Sequence, residues 1–411
     1  MGRPEPRLKV DAPDLIDKWP ADGPKVLWER DLGDGYSTIV SDGKRLYTQY
    51  NVAGEAPADA KEEEKANYRD DVVVAPDPAD GRTLWEHRYS ANFTPDMLHD
   101  FGFGPRSTPL IIGDRIFTVG ATAVLKCLDK NTGKPIWSCD MRKEHKAALL
   151  QRGYGASPFA YKDTIILPIG VAQTDEEKGH AVIAFNQSDG KVVWKNQDFG
   201  PTYASPFVCT QDGEEHLIVF GDKAIHGLDP TTGASKWSHE HSGGANISTP
   251  LAGDDGIFFV SSAYGLGSRG IKLIKKEGKW QTEELFFNKK FKIQHANAIR
   301  IGDYVYGSSG DFGPAFFAAV NIKTGKFGWK KRGITKANSI HADGKFIILD
   351  EDGRLYIATA TPEKIDIHCK AQILEKVAWT VPTLVDGTLY VRDMKKIMAI
   401  DLAEKKTTKA S

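Results

Sequence analysis

The 411-residue chain contains only four cysteines, Cys127, Cys139, Cys209 and Cys369. None stands in a C-x-x-C or C-x-x-C-H spacing, which speaks against an iron–sulfur cluster, a zinc site or an attached c-type haem. Cys127 and Cys139 flank Gly133 symmetrically on the two arms of one hairpin pattern, where they could face each other across strands; free thiols are expected ahead of a disulfide, which the sequence leaves open. No apolar run reaches the ~18 residues that a membrane-crossing helix requires. Neither charge is in excess: 54 Lys plus Arg stand against 55 Asp plus Glu, a net charge of −1. A polyanion such as nucleic acid is therefore not an expected partner. There is no G-x-S-x-G, no H-E-x-x-H and no readable pair of catalytic carboxylates.

What the chain does have is glycine and a repeated phrase. Its 40 glycines approach a tenth of the residues, against about 7% on average, and suit many tight turns. The stretch Cys127–Trp137, CLDKNTGKPIW, reads as strand, turn, strand, with Asp129 opening the turn and Gly133 supplying backbone freedom. The same pattern ends at Trp85, Trp194, Trp237 and Trp329, with a blurred copy, IKLIKKEGKW, ending at Trp280. Successive tryptophans lie 52, 57, 43, 43 and 49 residues apart. A period of about 40–50 residues with turn signals and one aromatic per unit predicts a β-propeller.

The phrase resembles the A-x-D-x-x-T-G-K-x-x-W tryptophan-docking motif of the pyrroloquinoline-quinone-like propeller superfamily, and the match runs from about Lys25 to Leu402. That superfamily includes quinoprotein alcohol dehydrogenases and the propeller lipoprotein of bacterial outer-membrane assembly. The resemblance implies that each tryptophan docks on the next blade. It also implies a bacterial, exported protein, periplasmic or extracellular. Met1–Trp19 has no apolar core of a signal peptide, so a leader is expected to have been trimmed.

A second phrase counts the units independently. A turn followed by a short apolar strand begins at Asp42, Gly113, Lys162, Asp212, Asp254, Gly302, Asp343 and Asp386, which makes eight. The ends complement one another: VLWERDL, with Trp28, lacks the turn before it, and KIMAIDL, from Lys396, lacks the tryptophan after it. The prediction is an all-β, eight-bladed β-propeller of four-stranded antiparallel blades, closed by the N-terminal strand pairing with the C-terminal blade, which hides two open sheet edges. Residues 1–24 read as an irregular lead-in, 25–402 as the propeller with a surface insertion at about 51–70, and 403–411 as a charged tail. Blade seven, around Leu355–Ile373, lacks a blade-end tryptophan.

The innermost strands carry S-T-P or S-P phrases, such as Ser107–Pro109, Ser157–Pro158, Ser205–Pro206 and Ser248–Pro250. Aligning all eight inner strands places Tyr36, Arg106, Gly155, Tyr203, Ile247, His295, Lys336 and Trp379 at one level around the axis. Cations there supply charge for an anionic group, and aromatic faces supply stacking area. The expected site is thus a funnel for a small, planar or sugar-like anionic molecule. Arg106 and Lys336 hold its charge, Trp379 and Tyr203 its flat surface, and His295 its hydrogen bonds, with Tyr36 completing the ring. A polar, solvated channel wall with no specific ligand is the plainer alternative. Phe101–Arg106, FGFGPR, reads either as a lid over this mouth or as a packed loop between blades.

The resemblance raises pyrroloquinoline quinone with calcium as a cofactor. Such enzymes need oxygen ligands and an Asp base, and the ring offers no Asp, Glu or Asn. Asp100 and Asp311 are the carboxylates expected to come nearest. The leading expectation is a non-catalytic binding or scaffold propeller, monomeric, holding a protein partner or a small ligand without cofactor or metal. A quinoprotein-type oxidoreductase or a carbohydrate-active propeller enzyme using the same funnel is the alternative. Gly265, Gly267 and Gly270 match G-x-G-x-x-G but stand between strands, so they read as a turn rather than a dinucleotide loop. His239 and His241, two apart on one strand face, read as a solvated edge.

Overall fold

The computed structural model describes residues 9–10, 14–94, 97–171, 179–242, 246–311, 313–375 and 377–404. Residues 1–8 of the expected lead-in and 405–411 of the expected tail lie outside them. Eight antiparallel sheets follow one another along the chain, seven of four strands and one of five. Each blade runs from an inner strand outward, as in Leu110–Ile112, Arg115–Val119, Val124–Asp129 and Pro135–Asp140 of blade two. The two middle strands of a blade are apolar on both faces because neighbouring blades cover both; in Arg115–Val119 four of five residues are buried.

The recurring turn is built by its own side chains. Asp129 Oδ1 accepts from the amides of Asn131 and Thr132, at 3.0 and 2.8 Å. Gly133 then adopts φ 71°, where its amide returns to the Asp129 carbonyl at 2.8 Å. A Cβ on Gly133 would lie 2.4 Å from the Trp85 ring, so the glycine serves two purposes, left-handed backbone and a bare seat for the previous blade's indole. Trp85 Nε1 caps the contact by donating to the Lys130 carbonyl at 2.9 Å. Trp28 on Gly81, Trp137 on Gly190 and Trp194 on Gly233 repeat the arrangement.

In all eight blades the pairing of the outer strand slips by one residue immediately before the docking position. Such a bulge bends and twists the strand, and here it aims the following side chain at the next blade. The slip corrects one expectation. Blade five has an outer hairpin of two ten-residue strands, Gly267–Lys276 and Lys279–Asn288, and its bulge falls before Phe286. Phe286 therefore docks on Gly325, whereas Trp280, six residues before it on the same strand, turns back and donates to Glu214 of blade four at 2.9 Å. With no turn in reach, Trp237 packs on Phe258 of blade five, ring centroids 5.3 Å apart.

The circle closes as the complementary ends predict. Lys25–Asp31 pairs antiparallel with Lys396–Asp401, register Lys25 to Asp401 through Asp31 to Lys396. The lead-in is more ordered than an irregular segment. Lys9–Val10 pairs parallel with His341–Ala342 of the inner strand of blade seven, and Leu15 bridges Ala403. Trp19 is buried in the same cluster as Ile367 and Cys369, so the blade without a tryptophan of its own receives one from the lead-in. Strand pairing also continues further into the insertion than expected, since Asn51–Ala53 pair with Arg69–Asp71. Only the stretch between them leaves the sheet, with a 3-10 helix at Glu62–Asn67.

Inner strands are stitched by the Ser and Thr of their repeated phrase. The Thr108 amide donates to Ser157 Oγ and the Ser157 amide to Ser205 Oγ, both at 2.9 Å. Ser248 Oγ donates to the Ala296 carbonyl at 2.6 Å, and Asn338 Nδ2 to the Trp379 carbonyl at 2.8 Å. Cys127 and Cys139 are free and buried. The bulge leaves Cys139 opposite Leu125 and Cys127 opposite Trp137, so the two thiols do not face each other. Among the described residues no helix is long and apolar enough to cross a membrane.

Candidate functional site

The aligned ring residues converge. Trp379 of blade eight stacks on Tyr36 of blade one, with centroids 5.2 Å apart and planes at 26°. The His295 ring of blade six lies 4.4 Å from the same indole, centroid to centroid. Residues two blades apart thus touch, and the side chains meet across the axis instead of lining an open funnel. Lys336 Nζ lies 5.8 Å from the Trp379 ring and Arg106 Cζ 5.7 Å from the Tyr36 ring, both within cation–π range. Tyr203 occupies the space that Gly155 leaves, since a Cβ there would meet its ring at 2.8 Å.

Neighbours that the alignment did not sample complete this closure. The FGFGPR loop does both things expected of it as alternatives. Phe101 covers Trp379 at 5.2 Å, while Gly104 passes so close to Asp34 that a Cβ would stand 2.1 Å from its carbonyl oxygen. Tyr36 donates its hydroxyl to the Phe101 carbonyl at 2.6 Å. Glu351, from a turn of blade seven, accepts from Trp379 Nε1 at 3.1 Å and pairs with Lys336 Nζ at 3.2 Å. Nothing in the sequence marks Glu351, because it belongs to a turn between middle strands, and its place at the mouth comes from its amide, which donates to the Lys336 carbonyl at 2.8 Å. Arg152 pairs with Asp100 at 2.9 Å and packs on Phe101 at 5.2 Å. Asp311 is tied to Lys292 at 2.7 Å.

The electrostatics are uneven. Arg106 donates to carbonyl oxygens, Arg152 at 2.7 Å and Gly104 at 3.3 Å, and among the described residues it has no carboxylate at ion-pair distance. Both ring nitrogens of His295 are buried without a hydrogen-bond partner. Burial, helped by the Lys336 charge, lowers the His295 pKa to about 3, so the imidazole is neutral. Burial likewise raises Tyr36 to about 12 and keeps its phenol protonated.

Beyond this plug the bore is open. A cavity of about 410 Å³ draws its wall from all eight blades, with Thr108, Ser157, Ser205, Thr249, Asn297 and Val381 among its residues. These lie two positions further along the same inner strands than the ring. The two histidines read as a solvated edge are not one: His241 is 2% exposed and bonds Ser262 at 3.1 Å, and His239 bonds Thr282 at 3.0 Å. Of the glycines read as a turn, Gly265 lies in one, whereas Gly267 and Gly270 lie in the strand Gly267–Lys276 that follows it, with no helix after them.

Comparison with known proteins agrees with this architecture. Outer membrane protein assembly factor BamB of Yersinia pestis is 24% identical over 303 residues, 68% of this chain and 70% of its own. The crystal structure of BamB from Moraxella catarrhalis superposes with a TM-score of 0.57 at 17% identity, covering 92% of this chain and 99% of that one. Quinohemoprotein alcohol dehydrogenase from Comamonas testosteroni gives a TM-score of 0.63 at 14% identity, covering 94% of this chain and 78% of that one. At such identities the structural likenesses establish the fold, which scaffolds and enzymes share. The family model described as outer membrane protein assembly factor BamB matches residues 69–285, more than half of the sequence, spanning three whole blades and parts of the blades on either side, and the chain belongs to that family.

Proposed function

We propose that this chain is a non-catalytic propeller scaffold for the assembly of outer membrane proteins, acting as a monomer on the periplasmic side and holding a protein partner. The observation that carries the reading is the closed mouth. Trp379 is packed by Tyr36, Phe101 and His295, which leaves no stacking slot for a flat cofactor. The carboxylates around the mouth, Glu351, Asp34, Asp100 and Asp311, are each paired with a cation. The donor set does not fit pyrroloquinoline quinone with calcium, which needs several free oxygen ligands on one ion. Removing the protein from its host should lower the amount of folded outer-membrane β-barrel protein, read by heat-modifiable gel mobility. An unchanged amount overturns the assembly role. Alcohol-dependent dye reduction by the purified protein with added quinone and calcium would overturn the non-catalytic reading.

A small anionic molecule at the mouth is a second reading, favoured by the unpaired Arg106 guanidinium and the orphaned His295 nitrogens. Tyr36, Arg106, Tyr203, His295, Lys336 and Trp379 would hold it after Phe101 moves aside. Arg106→Ala and Trp379→Ala should each abolish binding of any carboxylate found in a metabolite screen. Undiminished binding removes this reading.

A further inference from the structure

Away from the channel, one group of side chains has the chemistry of a metal site. The outer strand of blade two, Pro135–Asp140, runs directly into the short helix Met141–His145. There Cys139 Sγ, a Glu144 carboxylate oxygen and a His145 ring nitrogen all lie within 4.8 Å of one another. Tetrahedral zinc, with bonds of about 2.3 Å to sulfur and 2.0–2.1 Å to nitrogen or oxygen, places such atoms about 3.4–3.6 Å apart. The three need to draw in by roughly 1 Å, a distance that side-chain rotation covers.

The backbone beneath them is held in place. Asp140 caps the helix by accepting from the Lys143 amide at 3.2 Å, and its own amide donates to Glu144 at 2.8 Å, which fixes that carboxyl and leaves its second oxygen to ligate. Met141 roots the turn in the core. The Ala147 amide bonds the Met141 carbonyl at 3.0 Å, and the Ala148 amide reaches Ile169 of blade three, also at 3.0 Å. The His145 ring is steered by Phe185, 5.5 Å away. Of the nearby cations, Lys143 Nζ is occupied by Asp140 at 3.0 Å, and Lys195 faces His145.

We propose that Cys139, Glu144 and His145 form a binding site for a thiophilic divalent cation of the zinc class. Sulfur, imidazole and carboxylate together select that class over magnesium or calcium, which prefer oxygen alone. A thiolate and a carboxylate neutralise the two charges of the ion. As the metal–sulfur bond forms the S–H bond breaks, and its proton leaves to solvent. Three protein ligands leave the fourth tetrahedral position to water or to a group of a bound partner. The spacing, C-x4-E-H, belongs to no familiar motif, and only the strand-to-helix bend brings the three together. The site is independent of the scaffold reading.

Cobalt(II) titration of the reduced protein tests it. One equivalent should give a near-ultraviolet sulfur-to-cobalt charge-transfer band and intense visible bands of a tetrahedral ion, both removed by added zinc. Cys139→Ser should abolish the near-ultraviolet band, and His145→Gln should weaken cobalt binding at least tenfold. Cys127→Ser, a buried thiol of the same blade, should change neither. Should Cys139→Ser not fold, His145→Gln, with its part-exposed side chain, carries the comparison. No charge-transfer band in the reduced, folded protein overturns the proposal, and so does a band that survives in Cys139→Ser or cobalt affinity that His145→Gln leaves intact.

Discussion

Arg392 of blade eight donates from Nη1 to the Gln49 carbonyl of blade one at 2.7 Å. The same guanidinium reaches the Gly33 and Ser37 carbonyls and Thr48 Oγ1, and its side chain is wholly buried. The seam where the chain's two ends meet is therefore fastened by a cation spread over backbone oxygens. Burial lowers its pKa to about 10, which still leaves it charged at neutral pH.

Arg392→Met should destabilise the propeller by about 3–5 kcal/mol, because several buried acceptors lose their donor at once. Arg392→Lys should recover little, since one ammonium cannot span acceptors that a planar fork serves. Urea unfolding at neutral pH checks both, and a change under about 1 kcal/mol for Arg392→Met would show that the seam does not depend on it.

Phe286→Ala should cost about 3–5 kcal/mol, as expected for a buried aromatic between packed elements, and Trp280→Ala only about 1 kcal/mol. The order tests which of the two is the docking residue of blade five. The sequence pattern points to Trp280, and only the position of the bulge points to Phe286.

Asp71 and His295 should give opposite pH dependences. Burial raises Asp71 to about 7, despite hydrogen bonds from Asn51 and the Ala121 amide. The folded state then holds a proton that the unfolded state has lost, so stability falls as pH rises from about 4 to 7, by at most about 4 kcal/mol. Asp71→Asn should flatten that slope. His295 is depressed to about 3, so its contribution is complete above pH ~6.5 and is lost as pH falls towards 3. His295→Gln should therefore reduce acid sensitivity specifically below pH 6.5. Melting temperatures measured across pH 3.5–8 for the three proteins separate the two effects.

All four cysteines are free among the described residues. Reductant should leave the melting temperature unchanged, and four thiols should react after denaturation. Burial raises Cys127 to about 11 and Cys139 to about 12, so neither should react at neutral pH while the metal-free protein is folded. Fewer than four thiols in the denatured protein would contradict this.

How far the fold was legible follows from where its information lies. Asp129, Thr132 and Gly133 bond to their own turn, and a tight turn between alternating apolar strands is written in consecutive residues. Repetition of that local signal announced a propeller, a second repeated turn-and-strand phrase counted its eight blades, and the incomplete ends foretold the closing pair Lys25–Asp31 with Lys396–Asp401. One residue per inner strand at matching positions led to the expectation that Tyr36, Arg106, Tyr203, His295, Lys336 and Trp379 share a level, and side-chain contacts link Trp379 to Tyr36, His295 and Lys336, and Tyr36 to Arg106.

What those residues do on arrival is not local. Whether a ring of large side chains leaves a funnel or fills it depends on the bore's width and on every rotamer meeting in it. Here His295, Trp379, Tyr36 and Phe101 fill it together. Glu351 joins them from a turn with no periodic mark, and Cys139, Glu144 and His145 gather through one strand-to-helix bend. The amino-acid order by itself determined the repeating backbone, because hydrogen bonds within turns and hairpins join near neighbours. Tertiary structure alone decided the plug and the seam at Arg392, because each is a contact among residues that only the packed blades bring together.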